Sequence, residues 1–215
     1  APVGLIDLRR QGAWRKPPVL ALLAGWVALT LLCGWYGFHG HELPFGEIHL
    51  PAGRVTIFWP LVIGTTVLFW FGLEWALAIV LVGSIGVGLQ FGLPLKWLLP
   101  FCFAAAAGLT TLALVYRLSG LSYIPRRPAA FLAFVMSTLL ATLMISAGSF
   151  FLSQAADAPA AQTMARWYSW WAGGMLDVWL AAGVMYLFSD RVENWKERVF
   201  GPRATINTSF RFLTV

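Results

Sequence analysis

The sequence predicts an all-α, polytopic bundle of transmembrane helices, with six clear spans and the start of a seventh. The composition is 59% hydrophobic and 11% charged, and the mean hydropathy of +0.73 lies far above that of a soluble domain. A spanning helix needs about 20 mostly apolar residues. Because six apolar runs approach that length, little chain remains for a folded soluble domain. The lipid bilayer is therefore the first expected partner.

The apolar runs order the spans along the chain. We expect spans at residues 19–38, 55–72, 74–92, 95–118, 129–153 and 168–188. Pro17 and Pro18 precede the first span, where proline favours the beginning of a helix. The second and third spans form a hairpin that turns within "FGLEW". The chain therefore divides into a cytoplasmic tail at 1–17, a transmembrane domain at 18–189 and an exit segment at 190–215.

The distribution of basic residues predicts the orientation. With a cytoplasmic N-terminus, twelve lie on the inner side: Arg9, Arg10, Arg15, Lys16, Arg117, Arg126, Arg127, Arg191, Lys196, Arg198, Arg203 and Arg211. Three lie on the outer side: Arg54, Lys96 and Arg166. Because cytoplasmic loops carry the excess of Lys and Arg, both termini are predicted to be cytoplasmic. No basic stretch is interleaved with exposed aromatic residues, so no nucleic-acid partner is expected.

The exit segment begins with "SDRVENWKERVF". Val192, Trp195 and Val199 recur there at three- and four-residue spacing between charges, which predicts an amphipathic helix at the inner membrane surface or one leading into a further element. Gly201 and Pro202 then end the helix. The final stretch, "NTSFRFLTV", turns apolar like the opening of another span, so the chain is interpreted as part of a longer protein.

The sequence contains no convincing catalytic constellation, and neither catalytic activity nor a cofactor is predicted for this segment. His39, His41 and His49 all fall in the first outer loop, so no span offers a histidine to haem or to a proton relay. They are weak candidates for a metal site, because their spacing matches no closed site, and a polar loop is the favoured interpretation. Glu74 is expected to cap the third span, at the positive end of that helix.

Asp177 lies within the sixth span, where an ionised carboxylate costs about 3 kcal/mol or more unless it is paired, hydrated or protonated. Gly173 and Gly174 share its helix face and leave room for a water molecule or another helix. We expect a hydroxyl partner from another span, and the candidates are Thr110, Thr111, Tyr116, Ser137, Thr138, Thr142 and Ser146. Asp177 is then either a ligand or proton site or an interhelical hydrogen bond that fixes packing.

The "WYSWW" cluster is denser in aromatic residues than interface anchoring requires. It precedes Asp177 by about two helical turns, on the predicted outer side. Such a pocket, lined by aromatic rings and with an acidic floor, would suit a cationic or hydroxyl-bearing ligand. The predicted ligand-binding residues are Trp170, Trp171, Gly173, Gly174 and Asp177.

Residues 57–95 resemble the first half of MASE type 1, a membrane-associated sensor domain of bacteria. The family's F-W-P-x-x-G opening and glycine-rich helix are matched here by Phe58, Trp59, Pro60, Gly64, Gly83, Gly86 and Gly88. The later "WWAGGMLD" is similar to the family's W-W-x-G-D-x-x-G signature, with Trp170, Trp171 and Gly173 in register. Gly174 stands at the family's aspartate position, and Asp177 occupies its following glycine position.

This resemblance implies a sensory input domain of the bacterial inner membrane. In that family, the domain is fused to a histidine kinase, a cyclic-di-GMP enzyme or a phosphatase as cytoplasmic output. A small ligand, a membrane protein partner or a homodimer would then act by shifting the sixth span, which carries Asp177 and leads into the exit segment. Two alternatives remain open, a transporter or substrate-capture subunit and a non-catalytic anchoring subunit of a membrane complex.

Overall fold

A computed structural model describes residues 17–39, 47–50, 53–118 and 128–200. Within these ranges the chain is helical apart from one short antiparallel hairpin, so the predicted all-α bundle is confirmed in its main feature. The elements are α1 (Pro17–His39), β1 (Glu47–Leu50), β2 (Gly53–Thr56), α2 (Trp59–Phe71), α3 (Leu73–Gln90), α4 (Leu95–Leu118), α5 (Pro128–Ser146), α6 (Gly148–Ala155) and α7 (Ala160–Phe200).

Five segments of the described chain are long and apolar enough to cross a membrane. They are Pro17–His39, Leu73–Gln90, Leu95–Tyr116, Phe131–Ala155 and Ala160–Phe188. The predicted second span differs, because its helix, α2, has only 13 residues and extends about 20 Å against a hydrocarbon core of about 30 Å. Strand β2 and two extended residues occupy the rest of that predicted span. The six-span count is therefore not confirmed.

Helices α1 and α3 pack side by side and run in the same direction. The Trp26 indole N–H donates to the Trp75 carbonyl oxygen over 3.0 Å at one end of the pair. At the other end, a Cβ added to Gly37 would overlap the Gly83 carbonyl oxygen. Because only a hydrogen atom fits at Gly37, glycine allows the two backbones to approach closely without any hydrophobic force between the helices.

The directions of the other helices follow from their contacts. α2 runs antiparallel to α3, and the turn between them falls at Gly72, as predicted; its φ of 110° favours glycine. Asp177 of α7 contacts the start of α2, and Trp195 of α7 contacts Phe71, the last residue of α2. These two helices are therefore parallel. The start of α1 and the end of α7 therefore lie at the same end of the bundle, which we term the Pro17 end.

α7 is one unbroken helix of 41 residues, about 60 Å long. The sequence pattern predicts a span at 168–188 and a separate exit helix beginning at residue 190. The structure instead continues the same helix from Ala160 to Phe200, directly before Gly201. The predicted fifth span is divided at Ala147 into α5 and α6. Residues 1–16 of the predicted tail at 1–17 and the apolar stretch at 207–215 lie outside the described residues.

Candidate functional site

Asp177 lies inside the apolar part of α7, which extends from Ala160 to Phe188. Its eleven-residue separation from Phe188 in the chain corresponds to about 17 Å along the helix axis. The residue is 1% exposed. A carboxylate at this depth needs a polar partner within the protein, because the bilayer core contains no water that could form hydrogen bonds with it.

The partner is the backbone N–H of Phe58. The Phe58 nitrogen lies 3.1 Å from Oδ2 and 3.2 Å from Oδ1 of Asp177. Phe58 is the N-cap residue of α2, and its apolar side chain cannot accept a hydrogen bond from the exposed amides of the first turn. Asp177 therefore supplies, from another helix, the acceptor for the N-cap amide that a glutamate or glutamine three residues further on provides in a capping box. Negative charge is also favoured at this positive end of α2.

The prediction of a hydroxyl partner for Asp177 is wrong, because the group that donates to the carboxylate is a main-chain amide. Five of the candidate hydroxyl groups donate within their own helices: Thr110 to Ala106, Ser137 and Thr138 to Phe134, Thr142 to Thr138, and Ser146 to Leu143. Thr111 donates to the sulfur of Met144. Such hydroxyl-to-carbonyl bonds within a helix satisfy the side chain locally. The amide of Phe58, in contrast, has no local acceptor at a helix start.

A second polar contact holds the same short segment from the opposite side. The Tyr36 hydroxyl of α1 donates to the Ile57 carbonyl oxygen over 3.3 Å. The adjacent residues 57 and 58 are thus bound to α1 and to α7, just where the β-hairpin passes into α2. β2 also packs against α7. Non-helical backbone at membrane depth needs partners within the protein, and Tyr36 and Asp177 provide two of them.

Gly173 and Gly174 are buried in the bundle. A Cβ at Gly174 would lie 3.4 Å from the Thr142 Cβ on α5 and 4.0 Å from a methyl group of Leu61 on α2. Both distances are ordinary van der Waals contacts. The small side of α7 near Asp177 therefore packs directly against α5 and α2.

Trp170 and Trp171 contact different aromatic side chains. Trp170 meets Phe101 of α4 edge to face, with ring centroids 5.9 Å apart. Trp171 stacks on Trp167 at 6.0 Å, and Trp167 stacks in turn on Phe150 of α6. The Trp171 indole nitrogen is buried and has no hydrogen-bond partner among the described residues. A buried N–H of this kind is uncommon and costly.

Lys196 is a second buried ionisable residue of α7, although its place in the sequence predicts only a basic residue on the inner side. It is 2% exposed, and its Nζ lies 3.1 Å from Oε1 of Glu193 and 5.6 Å from the ring centroid of Phe71. Burial lowers the pKa of Lys196, and Glu193 opposes that shift. The neighbouring Trp195 contacts the same Phe71 ring. Trp195, on the predicted apolar side of the exit segment, thus packs on the end of α2.

The remaining predicted residues lie as follows. Glu74 stands in the first turn of α3, and Gly72 is the N-cap residue; a stabilising effect of Glu74 at the positive end of that helix stays a prediction. His39 ends α1 and stacks on Trp35. His41 lies outside the described residues, and no side chain is described for His49 on β1. The described residues hold no group of three His, Cys, Asp or Glu side chains that could share a metal ion.

The chain matches no family model, no curated protein and no solved structure. The class defined by its fold is that of a multi-pass helical membrane protein.

Proposed function

We propose that this chain is the membrane-embedded input module of a bacterial signalling protein, lying in the inner membrane. One observation carries the proposal: a single helix, α7, bears Asp177 within the segment that is apolar enough to cross a membrane and continues past Phe188 to Phe200. A continuous helix can transmit a displacement from the membrane interior to an attached cytoplasmic domain. A flexible interruption in the helix would absorb that displacement. The resemblance of residues 57–95 to MASE type 1 supports the same class.

The orientation proposed for this function places the Pro17 end in the cytoplasm. Arg117, Arg191, Lys196 and Arg198 lie at or near that end, and the basic residues described near the opposite end are fewer. The excess of Lys and Arg then lies on the cytoplasmic side. The C-terminal end of α7 then extends towards a cytoplasmic output domain, which would be a histidine kinase, a cyclic-di-GMP enzyme or a phosphatase.

The signal is the binding of a small ligand or of a partner membrane protein. Helix α7 has to respond to this binding, and it carries both Asp177 and the cluster of tryptophan residues. For signalling, the ligand has to bind two packings of the bundle with different affinity. Residues 57 and 58 connect the β-hairpin to both α1 and α7. Binding at the hairpin end of the bundle would therefore act on α7 through this segment.

The first test measures thermal unfolding of the purified protein in detergent against a panel of small metabolites and divalent metals. The panel is repeated on Asp177→Asn, which keeps an oxygen acceptor but removes the charge. A compound that stabilises the wild-type protein and not the variant identifies an input that acts through Asp177. Any stabilising compound then enters the second test.

The second test measures whether α7 moves. Spin labels are placed at Leu118 and Arg198, which are both exposed, in a background with Cys33 and Cys102 replaced by alanine. The matched control pair is Leu118 with Phe131, on α4 and α5. We expect the stabilising compound to change the first distance and not the second. A compound that binds and leaves both distances unchanged contradicts the signalling role of α7.

One observation favours a substrate-capture subunit as the second candidate. α2 begins inside the apolar region, and transporters use such interrupted helices to present an N-terminal dipole to an anionic substrate. Here Asp177 of the same chain already occupies that position, and α4 continues as a helix through Pro100. Uptake of a compound from the panel into proteoliposomes would favour this candidate. Copurification of a fixed partner without any ligand response would favour an anchoring subunit.

A further inference from the structure

Two charged side chains of α7 lie at the two ends of α2. Asp177 accepts the hydrogen bond of Phe58, the N-cap residue of α2. Lys196 places its ammonium group 5.6 Å from the ring centroid of Phe71, which is the last residue of that helix. Both charges are almost fully buried, at 1% and 2% exposure.

The signs of these charges match the dipole of α2. A helix carries partial positive charge at its N-terminus and partial negative charge at its C-terminus. Asp177 therefore lies at the positive end of α2, and Lys196 lies beside the ring of Phe71, the last residue of that helix. A buried charge is costly unless it is paired or hydrogen-bonded. The Phe58 amide provides Asp177 with a polar partner, and Glu193 provides one for Lys196.

Both contacts depend on the alignment of α7 with α2. Asp177 and Lys196 are nineteen residues apart in α7, about 28 Å along the axis, and α2 is about 20 Å long. Sliding α7 by one helical turn would move both groups by about 5.4 Å. Such a shift would separate Asp177 from the Phe58 amide and Lys196 from Phe71 at the same time.

We propose that Asp177 and Lys196 act as a two-point clasp of α7 on α2, so that the two helices move as one body and separate at both ends together. The clasp couples a site inside the bilayer to the Pro17 end of the bundle, about 20 Å away along α2. It rests on the packing of α2 against α7 and stands whether or not the chain is a sensor.

Hydrogen exchange of the full chain in lipid nanodiscs tests the clasp, with exchange read separately at the two ends of α2. The variants are Asp177→Ala, Lys196→Ala, which removes the buried aliphatic stem together with the ammonium group, and the double variant. Arg198→Ala removes an exposed cation two residues away and is the matched control. We expect each clasp variant to increase exchange about tenfold at both ends of α2, including the end that it does not touch, because removing one partner of a buried charged bond is costly.

The double variant separates a clasp from two independent contacts. If the ends open in one step, both lost contacts lower the free energy of that step, so the increases multiply and the double variant should exchange about a hundredfold faster than wild type at both ends. An increase confined to the altered end, or a double variant in which each end exchanges no faster than in the single variant altered at that end, would overturn the proposal. Should Asp177→Ala fail to fold, Asp177→Asn replaces it, with a smaller increase expected at both ends.

Discussion

Replacing Asp177 should destabilise the protein in two steps that separate its oxygen acceptor from its charge. Asp177→Asn keeps a carbonyl oxygen for the Phe58 amide and loses only the charge at the start of α2, which is worth about 0.3–2 kcal/mol. Asp177→Ala also leaves the buried amide without its acceptor, which costs about 1–3 kcal/mol more. The expected order of stability is therefore wild type, then asparagine, then alanine.

A double-mutant cycle can assign this cost to the bond between Asp177 and Phe58. Phe58→Pro removes the N–H, because proline has none, and Phe58→Ala removes the ring while keeping the N–H. The difference between these two variants should shrink by about 1 kcal/mol or more when Asp177 is already alanine, since contacting groups are coupled. Strain introduced by the proline cancels in this comparison.

Reversible unfolding in mixed micelles supplies the free energies of unfolding for the cycle. Asp157→Asn is the control, because Asp157 is exposed and has a φ of 47° that asparagine tolerates. It should leave stability unchanged. Equal stability of Asp177→Asn and Asp177→Ala, or no coupling with Phe58, would refute the assignment of Asp177 as the cap of α2.

Three further predictions concern other parts of the bundle. Gly37→Ala should destabilise the protein by about 1–3 kcal/mol, because the added Cβ would overlap the backbone of α3. Gly25→Ala is the control and should leave stability unchanged, because no atom lies within 4 Å of its added Cβ. Equal melting temperatures for the two variants would contradict the close packing of α1 and α3. Because burial lowers the pKa of Lys196, the folded state loses that proton first, so stability should rise as pH rises towards the ordinary lysine value of about 10.4. Lys196→Met should flatten the rise, and an unchanged pH profile would contradict it. Trp171→Phe removes a buried N–H that has no partner among the described residues, so it should maintain stability or raise it by about 1 kcal/mol; a clear loss in chemical unfolding would reveal a partner for that nitrogen.

The candidate site was only partly accessible to sequence reasoning. Asp177 was identified from its place in an apolar run, because the cost of a charge in the bilayer depends on local composition alone. Its partner was predicted among serine, threonine and tyrosine side chains, and the actual donor, the amide of Phe58, is 119 residues away. A backbone amide carries no signal in the residue type. Lys196 was overlooked as a buried residue for a related reason, since its burial depends on Phe71 at the end of another helix.

The sequence alone determined the membrane class and the long helices α1, α3 and α4. Their extents depend on apolar length and on local signals such as Pro17, which act within one stretch of chain. The tertiary structure decided the shortened α2, the β-hairpin before it and the continuity of α7. α2 can begin inside the apolar region because Asp177 and Tyr36, from two other helices, satisfy the backbone at its start. That condition depends on which helices meet in space, and no local pattern of residues records it.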